Sequence, residues 1–126
     1  MAAYDTRIPA RLAGIAHDAV LSALDRVTPE LQMRHIMFRG GADEMYVLAP
    51  ENSHARWIAV IVPGHQEIDV TASPSNAPCQ TVRCDRNGVA VFPDVAPGPV
   101  RFVYGRPAGD GTENSVEVQT EWVLIS

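Results

Sequence analysis

The sequence predicts a mainly β chain, an antiparallel β-sandwich of about seven strands with one N-terminal amphipathic helix, and three observations lead there. Beyond residue 35, short apolar stretches rich in Val and Ile recur at about eight- to twelve-residue spacing. Proline and glycine punctuate them at Pro50, Pro63-Gly64, Pro74, Pro78, Gly88, Pro97-Gly98-Pro99 and from Gly105 to Gly111. Before residue 35, apolar side chains recur instead at three- and four-residue steps. The 126 residues suffice for one core, and 46% hydrophobic against 20% charged residues is the balance of a globular domain, not a disordered segment. Residues 1–34 read as a helical segment packed on the sheet or on a partner, and residues 35–126 as the sandwich.

The helix is predicted over residues 10–27, where Leu12, Ile15, Ala16, Ala19, Val20, Ala23, Leu24 and Val27 form one apolar face. Pro9 stands just before it, where a missing amide donor does little harm. Gly14 costs about 1 kcal/mol of helix propensity relative to alanine, which the amphipathic pattern outweighs. Thr28-Pro29-Glu30-Leu31 resembles a second helix start. Ile36 and Phe38 then alternate against His35, Met37 and Arg39 up to a Gly40-Gly41 turn. Strands are predicted at 44–49, 56–62, 67–72, 80–84, 89–92, 100–104 and 116–125, the last with a bend inside it. Trp57 opens an apolar run suited to a central strand, and core positions are the expectation for Trp57 and Trp122. Asp85-Arg86-Asn87-Gly88, between Val82/Cys84 and Ala90/Phe92, is a hairpin turn signal: the Asp hydrogen-bonds turn amides and Asn-Gly tolerates positive φ.

The block over residues 85–104, DRNGVAVFPDVAPGPVRFVY, resembles the recurring segment of transthyretin-like, carboxypeptidase-regulatory-like β-sandwich domains. Asp85 and Gly88 match its opening turn, Ala90 and Phe92 its large apolar positions. Asp94-Val95, the Pro97-Gly98 turn and the strand through Val100, Phe102 and Tyr104 follow. Ala90 departs from the pattern, standing where an aromatic is usual. The ending Thr120 to Leu124 is similar to that of small actinobacterial proteins pairing an N-terminal helical segment with such a sandwich. The resemblance implies an accessory, structural or interaction module and no catalytic residue.

Composition and motifs narrow the chemistry. A formal net charge of -5 opposes a general nucleic-acid binder, and no apolar run is long enough for a membrane helix. The opening lacks the basic and apolar regions of a signal peptide, so the expectation is cytoplasmic. His17, His35, His54 and His65 are scattered, and Cys79 and Cys84 form no CxxC pair, so no metal or other cofactor is expected. Cys84 is expected buried and Cys79 in a loop. No nucleophile elbow exists, and Glu67 with Asp69 reads as a solvated strand face. The expectation is therefore a non-enzymatic protein-interaction or regulatory module, acting on a protein partner or by self-association as a homodimer. Its interaction candidates are Leu12, Ile15, Val20 and Leu24 on the helix, with Tyr104 and Trp122. The alternative is a small-ligand-binding or enzymatic protein with its site between helix and sheet.

Overall fold

In the computed structural model, residues 7–22, 32–50, 56–107 and 115–125 are described. They form ten strands: β1 (Arg7–Ser22), β2 (Gln32–Gly40), β3 (Asp43–Pro50), β4 (Ile58–Ile61), β5 (Asp69–Pro74), β6 (Gln80–Arg83), β7 (Val89–Phe92), β8 (Gly98–Pro107), β9 (Ser115–Thr120) and β10 (Val123–Ile125). Their cause is the two-residue alternation of the sequence, which sends one row of side chains inward and the next outward. In β3 the inward row is Asp43, Met45, Val47 and Ala49; in β8 it runs Val100, Phe102, Tyr104; in β9, Val116, Val118, Thr120.

The strands form one sheet in the order β6-β5-β8-β9-β1-β2-β3-β4-β7, with β10 also paired to β8. The terminal strands of that order, β6 and β7, are joined by the turn at residues 85–88, so the sheet curls into a nearly closed barrel. The turn is built as its residues dictate. Asp85 Oδ1 accepts from the amides of Asn87 and Val89 at 2.8 and 3.0 Å, and Gly88 N donates to Asp85 O at 3.0 Å. Positive φ falls on Gly88 alone, at 77°. The expected hairpin nevertheless stops at its turn, because β6 continues along β5 and β7 along β4. This seam is where the barrel fails to close.

Two expectations are overturned. The stretch predicted as helix is strand β1 as far as Ser22, and there is no helix among the described residues; residues 23–31, including Leu24 and the second helix start, lie outside them. The three- and four-residue steps are outweighed because β1 is hydrogen-bonded along its length, parallel to β9 over Arg7–Ala13 and antiparallel to β2 over Gly14–Ser22. A register shift between Ile15 and His17 breaks strict alternation, and the apolar Leu12 and Ile15 stay exposed, so no two-residue apolar row marks this strand in the sequence. Small residues suit the location: a Cβ on Gly40 would lie 2.5 Å from Leu12 O. The architecture is also not a seven-strand sandwich, since β1 bridges the two halves into one continuous sheet.

The core joins both halves. Phe38, Met45, Val47, Val60 and Phe92 from one side meet Val70, Val100, Phe102, Val116 and Val118 from the other, all buried, with the Phe92 and Phe102 rings 6.4 Å apart. Gly88 holds the seam twice over. Besides its positive φ, a Cβ there would come within 2.6 Å of both Val62 O and His65 O. Gly88→Ala is therefore expected to destabilise the fold by about 2 kcal/mol or more, read as a lower urea midpoint at unchanged slope.

Candidate functional site

The outer face around β8, β9 and β10 gathers exposed apolar and cationic side chains. It arises where β9 gives way to β10. The buried row changes from even positions (Val116, Val118, Thr120) to odd ones (Val123, Ile125), so an extra residue is accommodated at Glu121-Trp122. Buried Thr120 makes this possible: its hydroxyl accepts from Phe102 N at 2.9 Å and donates to Glu121 O at 3.0 Å, replacing ladder bonds interrupted at the bend. Glu121 N turns to Ala13 O on β1, at 3.2 Å. Trp122 is thereby thrown outward.

There the Trp122 ring covers the Arg101 guanidinium, 4.9 Å from its centroid. The Gln119 amide, oriented to satisfy both groups, accepts from Arg101 Nη1, Nη2 and Nε at 2.6, 3.0 and 3.1 Å. Leu12 lies beside Gln119 in the β1–β9 register, and Leu124 beside Pro99 in the β8–β10 register. Leu12, Trp122 and Leu124 are 66%, 44% and 63% exposed.

The barrel's ends carry charge. Arg106 continues the inward row of β8 and reaches across to Asp43, which opens the inward row of β3; Nε and Nη2 meet the two carboxylate oxygens at 2.5 and 3.0 Å. The Asp43 hydrogen bond raises the Arg106 pKa, keeping the guanidinium charged. At the opposite end Arg34, on the inward row of Ile36 and Phe38, grips Asp18 through Nε and Nη2 at 3.0 and 2.8 Å and donates to Leu124 O. The Arg34 hydrogen bond holds the Asp18 carboxyl below its usual value. Burial first, and the Asp43 charge second, push the Tyr104 phenol up to about 12.

The structure scatters the expected interaction residues. Leu12 and Trp122 share the outer face just described, and Ile15 is exposed on β1. Val20 lies on β1 rather than on a helix, and Leu24 lies outside the described residues. Tyr104 points into the core, with its ring 6.2 Å from that of His65. Trp57, expected in the core with Trp122, is exposed as well, at 36%. Sequence reasoning missed Arg101 and Leu124, whose signal is their outward position in rows otherwise apolar inward. Cys84 is buried and accepts from Ile68 N at 3.3 Å, while Cys79 is exposed. Among the described residues no three His, Cys, Asp or Glu side chains cluster as metal ligands. The alternative site between helix and sheet has no helix to line it among the described residues.

No protein-family model, curated protein or solved structure matches the chain. The transthyretin-like resemblance of residues 85–104 therefore finds no family support, and the nearly closed barrel contradicts the sandwich it implied.

Thr120→Val leaves Phe102 N–H without its buried acceptor and is expected to cost about 1–3 kcal/mol in urea unfolding. A second measurement concerns pH. Because the neutral Tyr104 phenol is favoured in the fold, its stabilisation is complete below pH 10, the ordinary tyrosine value, and is lost as pH rises toward about 12. Unfolding curves over that window are expected to lose stability more steeply for the native chain than for Tyr104→Phe.

Proposed function

We propose that this chain is a protein-binding module whose contact surface is the outer face formed by Leu12, Arg101, Gln119, Trp122 and Leu124. The observation that carries this reading is the exposed Trp122 ring over Arg101 on a face that also exposes Leu12 and Leu124. Trp and Arg supply a large share of binding energy in protein interfaces, and apolar neighbours exclude water around them. The residues also stand on or beside paired strands, with the indole already held against the guanidinium, so docking freezes little additional freedom. Self-association is one form of this activity, with the same face contributed by two copies.

The test is site-specific photo-crosslinking in the native host, with the crosslinking side chain placed at position 122 or 124 and, as control, at position 91, where Val91 is exposed on β7. A defined protein adduct or a chain–chain adduct from 122 and 124 but not from 91 is the expected result. No adduct, or the same adducts from all three positions, overturns the reading. For the captured complex, Trp122→Ala is expected to weaken binding by about 2 kcal/mol or more in a titration with purified partner.

A further inference from the structure

A second surface feature lies at the barrel end that holds Asp43 and Arg106. The loop from β4 to β5 and the turn from β6 to β7 meet there: Val62 N donates to Gly88 O at 2.8 Å and His65 N to Val62 O at 3.3 Å. Gly88, with no Cβ, lets the two backbones touch. Between them opens a cleft of about 250 Å³ lined by Gly64, His65, Gln66, Arg86 and Asn87. Its walls are fixed by those backbone contacts, and the His65 ring packs near buried Tyr104.

The lining is one-sided in its chemistry. It offers a guanidinium, two carboxamides and an imidazole, and no carboxylate. Two carboxylates flank the lining in sequence, Glu67 beside Gln66 and Asp85 beside Arg86; neither lines the cleft, and Asp85 is engaged through Oδ1 by the amides of Asn87 and Val89. Arg86 takes part in none of the ion pairs among the described residues. A cleft rich in donors, with a guanidinium in none of the ion pairs among the described residues, suits an anion with several acceptor oxygens.

We propose that this cleft binds a phosphate group, with Arg86 as its charged anchor and His65, Gln66 and Asn87 as flanking donors. The volume exceeds that of the ion itself, so both inorganic phosphate and a small phosphomonoester fit the chemistry. The experiment is an amide-detected NMR titration of the whole chain with inorganic phosphate and, separately, with glycerol phosphate, each against sodium chloride at equal ionic strength. Saturable shifts at Gly64, His65, Gln66, Arg86 and Asn87 are expected, with tighter saturation by glycerol phosphate identifying the ester as the preferred form. Arg86→Gln, at an exposed turn position, is expected to weaken binding roughly tenfold or more while leaving the spectrum folded. Shifts that fail to saturate, that chloride reproduces, or that persist unchanged in Arg86→Gln overturn the proposal.

Discussion

The structure depends on β1 being hydrogen-bonded to two strands in succession, to β9 over Arg7–Ala13 and to β2 over Gly14–Ser22. On one edge β9 runs parallel to it, on the other β2 runs antiparallel, and the change of partner along its sixteen residues carries the sheet from one half of the barrel to the other. Were β1 a helix, its residues would bond to themselves and leave β9 and β2 with open edges, giving two sheets instead of one. The register shift between Ile15 and His17 lets the strand bend between these partners.

With the sheet continuous, closure is completed by side chains. The inward rows are apolar through the middle, but those of β2, β3 and β8 end in a charge, and each is paired, across the barrel for β3 and β8 and with the neighbouring strand β1 for β2. Arg106 reaches Asp43 at one end, and Arg34 ties Asp18 and the backbone of Leu124 at the other. Half-buried pairs of this kind add little net stability over apolar substitutes, yet a member left alone is costly. Their effect is to favour one register: a slip of β3 or β8 by a single residue would turn Asp43 or Arg106 outward and leave its partner unpaired. The Trp122 face sits on the outside of this arrangement and inherits its rigidity.

The strands after residue 35 were legible because each carries its own two-residue alternation and its own Pro or Gly stops; even the bend within residues 116–125 was visible, since the apolar positions change parity between Val118 and Val123. Strand order was not legible, because alternation says which face a residue occupies and not which strand lies beside it, so sandwich and barrel look alike. The first strand was misread because Leu12, Ile15, Ala19 and Val20 fall at three- and four-residue steps and the alanine-rich composition favours helix locally, whereas the strands that pair with it lie elsewhere in the chain. In the candidate site, Trp122 was found by residue type but placed in the core, since its outward turn depends on the Thr120 hydroxyl reaching Phe102. Arg101 and Leu124 carried no signal beyond their outward position in the alternation, which marks a solvent-facing side chain and not a contact. The Asp43–Arg106 pair was not legible, because both residues fall just outside the strands predicted at 44–49 and 100–104 and lie 63 positions apart in the chain.

The placement of β1 between β2 and β9 also orders events during synthesis. One neighbour, residues 32–40, follows soon after it on the ribosome, whereas the other, residues 115–120, emerges almost a hundred residues later. Until then part of the nascent strand stays unpaired and the two halves remain unjoined, so the barrel assembles only once residues 115–120 have left the exit tunnel. A nascent chain of this design has a long interval in which chaperones can engage its exposed edge, and its folding belongs with the slower, non-local topologies.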